Sequence, residues 1–173
     1  GHYVLPGFID GHIHPCDPGT THRDDLPHLS ASMAANGTTL GLFMPMNVPV
    51  VVDKQTFDET IACYEGRSYV DYGLHGAAIS TNLDTADELW RQTGSTAMKM
   101  FMCFSTVDAP FVNDDEMYAH LQLLAKNGGI ALIHCENDLI LKKFENDLKK
   151  AGKNDGMAYN ASHPAFAEIE AIG

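Results

Sequence analysis

Five short apolar runs, each followed by a stretch with helical spacing, constrain this chain more than any other feature. The runs cover residues 6–14, 38–44, 70–79, 96–103 and 130–135 and are rich in Val, Ile, Phe and Met, as in Thr39-Leu40-Gly41-Leu42-Phe43-Met44. Strands that are apolar throughout are strands buried on both faces. Helices are predicted between them, near 24–36, 54–65, 84–92, 114–127 and 138–151, with another starting near 164. Thr56 with Glu59, Thr85 with Glu88 and Asn113 with Glu116 each place a capping side chain three residues before a Glu. Asn36-Gly37, Asn127-Gly128-Gly129 and Ala151-Gly152 supply stop signals. Strands and helices alternating at this spacing imply βαβ units and a parallel sheet. Neither a GxGxxG nor a P-loop follows the first strand, so a nucleotide-binding sheet has no support.

Composition removes several classes of function. The chain has 173 residues and 45% hydrophobic content, enough for one packed core, and no apolar run is long enough to span a bilayer. Eleven basic residues against twenty-three acidic ones give a net charge of −12, a poor surface for nucleic acid or an anionic membrane. The charges are scattered and form no acidic tail. Four cysteines, at 16, 63, 103 and 135, lack any framework spacing. With no secretory signal visible, they are expected to be reduced thiols in a cytoplasmic protein.

Chemistry is concentrated at the ends of these strands. Phe8-Ile9-Asp10-Gly11-His12-Ile13-His14 closes the first run with His-x-His. Alternating side chains put Asp10, His12 and His14 on one face, so two imidazoles can chelate one cation; as single residues they would pass for ordinary polar strand ends. In Ala97-Met98-Lys99-Met100-Phe101-Met102 a lysine interrupts an apolar strand. Burial lowers an ammonium's pKa, and the neutral amine can take up CO₂ to form a carbamate; a snorkelling or ion-paired lysine is the alternative. His134 ends the last run, where a core histidine or a ligand would both fit. Three polar groups at the C-terminal ends of different parallel strands share the rim where an α/β barrel places its site. The strand count fixes how much of a barrel is present. A closed (β/α)₈ barrel needs eight strands and typically about 250 residues. The chain stops inside a helix begun by Ser162-His163-Pro164. Of a smaller open sheet and a truncated barrel, the second is expected.

The sequence resembles the cyclic amidohydrolase branch of the amidohydrolase superfamily, the dihydroorotases, allantoinases and hydantoinases. The resemblance rests on Leu5-Pro6-Gly7-Phe8-Ile9-Asp10-Gly11-His12-Ile13-His14, Asp17-Pro18-Gly19, Met44-Pro45-Met46-Asn47, Met98-Lys99-Met100-Phe101-Met102 and Ile133-His134-Cys135-Glu136-Asn137, and spans essentially the whole chain. It implies a partial (β/α)₈ TIM barrel of about five parallel strands with intervening helices, a single incomplete metal-dependent amidohydrolase domain over residues 1–173. It further implies two divalent metal ions, zinc by preference. His12 and His14 would hold the first, N-carboxylated Lys99 would bridge both, and His134 would bind the second. The substrate would be a small cyclic amide or ureide, and the parent protein a homo-oligomer.

Two departures qualify the resemblance. Dihydroorotases usually carry an Arg two residues after the second His, and here that position is Cys16. A thiol cannot replace a bidentate guanidinium. Together with Met44-Pro45-Met46-Asn47 this leans toward an allantoinase-like ureide hydrolase, with Asn47 and Cys16 against the ring. The family's further metal-binding His and its proton-shuttling Asp are expected on later strands beyond Gly173. The chain alone is therefore expected to be inactive, and His163 is read as a helix-cap residue and not the missing ligand. The alternatives are a non-catalytic dihydropyrimidinase-related homologue and an inactive metal-binding fragment. Cys16 and Cys103, at even offsets from His14 and Lys99, are expected to face the same mouth. Cys135 should turn away unless its strand has already ended.

Overall fold

A computed structural model describes residues 1–105 and 109–173. The element order is β1 (Phe8–Ile13), α1 (Leu26–Ala35), β2 (Thr38–Phe43), α2 (Lys54–Tyr64), β3 (Asp71–Leu74), β4 (Gly76–Ala77), α3 (Leu83–Gln92), β5 (Met98–Phe101), α4 (Asp114–Lys126), β6 (Ala131–His134), α5 (Asp138–Lys150), α6 (Gly156–Ala161) and α7 (Ala165–Ile172). All strand pairs are parallel, in two ladders ordered β1-β2-β3 and β4-β5-β6. The ladders join through β3 and β4, which form one strand bent at His75. The His75 amide donates to Phe43 O at 3.0 Å, on the β2 side. Thr96 N to Leu74 O at 3.0 Å and Gly76 N to Ala97 O at 2.9 Å bind the same bend to the β5 side. Among the described residues, five parallel strands in the order of the sequence, with helices between them, make up part of a (β/α)₈ barrel.

β5 shows how the sheet sorts its side chains. Met98 and Met100 are fully buried in the helix-side core, together with Phe43, Tyr64, Leu74, Leu89 and Leu124. Lys99 and Phe101, on the opposite face, line a cleft. The core also holds an aromatic trio. Phe43 stacks on Tyr72 at 5.7 Å, and Tyr64 stands edge-on to both. The outer strands are exposed, with Phe8 at 58% and Ile9 at 67% on β1 and Ile130 at 56% beside β6.

The helix starts depart in detail from the sequence reading. Asn113 and Glu116 do form the expected reciprocal box at α4. At α2, however, Asp53 is the cap and Thr56 closes the box from the third helical position. At α3 Asn82 occupies the cap position, although its side chain is spent elsewhere, accepting from Ile79 N and donating to Val52 O and Ala77 O. That side chain ties the loop after β2 to the end of β4.

Candidate metal and substrate site

The rim of the sheet is built from the loop after β1 outward. Asp17, almost fully buried, pairs with Arg67, accepts from Leu26 N at 3.3 Å and receives the Cys63 thiol at 3.6 Å. Burial pushes its carboxyl upward, but the Arg67 hydrogen bond, the Leu26 amide and the Arg67 charge prevail and hold it below the usual carboxylate range. Gly19 then packs onto the loop after β2. Its φ is +108°, and a Cβ there would lie 2.4 Å from Val48 Cβ, so only glycine fits. These two anchors hold the loops that carry Cys16 and Asn47, both of which line one cleft.

His12 and His14 converge as the strand pattern requires. β1 is irregular between Asp10 and Ile13, and Asp10 Oδ1 accepts from His12 N at 3.0 Å. The two Nε2 atoms face each other at 3.1 Å. A tetrahedral ion 2.0–2.1 Å from two nitrogens sets them roughly 3.3 Å apart, so this pair needs almost no movement to chelate one. Burial lowers the pKa of both rings, and the charge of Lys99 adds to it. Both imidazoles are therefore neutral near pH 7, the form that offers a lone pair. Buried His75 holds Thr96 Oγ1 at 2.8 Å through Nδ1, while its Nε2 has no hydrogen-bond partner among the described residues.

Lys99 is 4% exposed, with Nζ 4.8 Å from the centre of the Phe101 ring. Desolvation lowers its pKa, against weak pulls from Cys135 and Cys103. Among the described residues it has no hydrogen-bond or ion-pair partner. His134 ends β6 directly opposite Phe101 in register, and its Nε2 lies 2.7 Å from Glu136 Oε2. His12, His14, Lys99 and His134 all line one cleft, together with Cys16, Arg23, Asn47 and Phe101. Asn47 is 2% exposed; its Nδ2 donates to Tyr64 OH at 2.8 Å, and its Oδ1 has no partner among the described residues. A buried amide with an unspent polar atom at a cleft wall is equipped to meet a polar ligand.

Other residues fall differently from the sequence expectation. Cys16 lines the cleft, but Cys103 packs with Leu141 and Ala167 and is 3% exposed. β5 ends at Phe101, so the alternation that placed Cys103 at the mouth no longer applies. β6 ends at His134, and Cys135 lines an adjoining cleft with His12 and Lys99. His163 lies at the α6–α7 junction, with Nδ1 3.0 Å from Ser162 Oγ and its ring against Tyr159. Glu136 and Arg23 received no role from the sequence. An even i+2 spacing from His134 was the available signal for Glu136.

No protein-family model matches the chain. Among curated proteins, an allantoinase of Desulfitobacterium hafniense (strain Y51) is 36% identical over 99% of this chain and 38% of its own length. An allantoinase of Deinococcus radiodurans is 30% identical over 99% of this chain and 39% of its length. Among solved structures, the L-hydantoinase (dihydropyrimidinase) of Arthrobacter aurescens superposes with a TM-score of 0.88 at 31% identity, over 96% of this chain and 37% of that one. The chain belongs to the cyclic amidohydrolase branch of the amidohydrolase superfamily. It spans under two fifths of the length of these cyclic amidohydrolases. Among its described residues no helix is long and apolar enough to cross a membrane.

Proposed function

We propose that these residues carry the metal-binding and ring-holding part of a hydrolase that opens a C–N bond of a cyclic amide or ureide, of the allantoin or hydantoin kind. The observation that supports this reading most is the convergence of His12, His14, Lys99 and His134 on one cleft. In this reading His12 and His14 hold one divalent cation, His134 a second, and N-carboxylated Lys99 lies between them. Zinc suits two imidazoles with an oxygen donor. The donors fit such a group: the two facing Nε2 atoms are already at chelating separation, and the amine is desolvated. Carboxylation forms a bond from Lys99 Nζ to the carbon of CO₂ and releases one proton to solvent, leaving a carbamate anion. Cations bound there would supply hydroxide near neutral pH and polarise the scissile carbonyl.

The remaining work falls to the chain's own side chains. Asn47 would orient the ring through its unspent amide atom, Cys16 would wall the mouth without gripping a carboxylate, and Phe101 would exclude water beneath Lys99. Delivery of a proton to the leaving nitrogen is assigned to an Asp of the parent protein outside these residues. The 173-residue chain by itself is accordingly proposed to be inactive, and the parent a cytoplasmic homo-oligomer. Metal analysis of the purified chain tests the reading, with native mass spectrometry for the CO₂ adduct. Two ions per chain are expected, falling in His12→Ala/His14→Ala and in Lys99→Ala, with the adduct lost in the latter. Undiminished metal in the double histidine variant would overturn it.

A further inference from the structure

Cys103, His134 and Glu136 come from the segment after β5, the end of β6 and the loop before α5. Their ligand atoms all lie within 4.8 Å of one another. His134 Nε2 is 2.7 Å from Glu136 Oε2, and the Cys103 thiol points at the same oxygen from 3.9 Å. Bonds of about 2.0–2.2 Å to nitrogen and oxygen and 2.3 Å to sulfur set ligand separations of roughly 3.3–3.5 Å around a tetrahedral ion. The three atoms scatter about those values, so a shift on the order of 1 Å would suffice. Cys103 is 3% exposed, whereas the His134 side chain is 44% exposed and opens the cluster to the cleft. Charge also balances, because a thiolate and a carboxylate together neutralise a divalent cation in a half-buried place.

We propose that Cys103, His134 and Glu136 form a thiolate-containing site for a borderline or soft divalent cation such as zinc, distinct from the His12–His14 pair. Binding forms a sulfur–metal bond and releases the Cys103 proton to solvent; His134 enters neutral and Glu136 as its carboxylate. Three protein ligands leave a fourth position facing the cleft. The site draws on none of His12, His14 and Lys99 but shares His134 with the hydrolase reading, so the two compete for one ring while Cys103 and Glu136 belong to this site alone. Because it engages His134 Nε2, filling it withdraws that ring from the centre on the other side of Lys99. The competing account makes Glu136 a hydrogen-bond partner that merely orients His134, with Cys103 a packing residue.

Cobalt(II) separates the two accounts, because only a thiolate ligand gives an intense sulfur-to-cobalt charge-transfer band in the near ultraviolet. The full chain is titrated with Co(II) under a non-chelating reductant. The expected result is a saturable band that disappears in Cys103→Ser, weakens at least tenfold in apparent affinity in Glu136→Gln, and persists in His12→Ala/His14→Ala. Glu136→Gln keeps Cys103 and its contacts with Leu141 and Ala167, which guards against a misfolded Cys103→Ser. Cobalt binding without the band, no binding at all, or a band that survives Cys103→Ser would each overturn the proposal. Loss of additional, thiolate-free cobalt in the double histidine variant reports on the hydrolase centre alone.

Discussion

Replacing Lys99 by Met asks whether that side chain is held in place against the interest of the fold. All four residues of β5 are buried, and Lys99 has no hydrogen-bond or ion-pair partner among the described residues. Its cation–π contact with the Phe101 ring is worth about 0.5–2 kcal/mol. Desolvating an ammonium costs several kcal/mol even after relaxation. Because Nζ opens onto the cleft, about 2–4 kcal/mol is the appropriate part of that range. Met has nearly the same length and leaves no cavity, so Lys99→Met should stabilise the chain by about 1–3 kcal/mol. At roughly 2–4 °C per kcal/mol for a chain of this size, that is a visible rise in Tm. The pH dependence has a definite sign. With its folded value lowered, the amine binds fewer protons folded than unfolded, so the wild-type penalty is complete below the folded value and fades as pH rises toward about 10.4. The assay is denaturant unfolding at pH 7 and pH 10 in metal-free, CO₂-free buffer, with the advantage of the variant expected to shrink at the higher pH. A destabilised variant, or an equal gain at both pH values, would refute the reasoning and make Lys99 a structural residue.

Three further outcomes follow from the packing. Asp17→Asn should lose about 1–3 kcal/mol at neutral pH. Because the folded carboxyl is lowered, its contribution is present above the unfolded value near 3.9 and lost as pH falls through the folded one, so acid titration of the variant should show a flatter limb below about pH 4. Gly19→Ala adds a methyl against Val48 at a positive φ and should cost about 2 kcal/mol or more by chemical denaturation, with a wild-type value sinking the claim that the two mouth loops are locked there. Leu89→Ala empties a fully buried position between α3 and the sheet and should cost about 2–5 kcal/mol in the same assay.

The parts of the fold governed by local pattern were legible in the chain. The runs around Leu40, Met100 and Ile133 are strands because a fully apolar segment of that length must be covered on both faces. Lys99 stood out because it interrupts such a run. The parts set by tertiary contact were not legible. The strand predicted over 70–79 bends at His75, where it must serve β2 on one side and β5 on the other. α6, only six residues beginning with Gly156, carries too little periodicity to be seen. Thr56 and Thr85 were placed as caps, whereas each sits at the third helical position behind Asp53 and Asn82; Thr56 closes a capping box as Glu can, while Thr85 Oγ1 donates to Val52 O and Asn82 O. Cys103 was projected to the mouth by counting along a strand that stops two residues earlier. The i+2 spacing could have flagged Glu136 beside His134, but its meeting with Cys103 is invisible to such counting, since it depends on how two neighbouring loops leave the sheet.

His134 is where these threads cross. Its backbone is fixed by the ladder to Phe101, so the ring can explore only the space between two donor sets. On one side are Lys99 and the His12–His14 pair, which share its cleft. On the other are Glu136 at hydrogen-bond distance and the Cys103 thiol beyond it. The imidazole has two nitrogens, and the one at Glu136 is Nε2, the atom farther from the backbone and the one with the greater reach. Glu136 can hold that nitrogen in reserve or surrender it, but a single Nε2 lone pair cannot serve a cation on each side at once. Under the two proposals the choice between the sites falls to this one ring, whose Nε2 lies against Glu136.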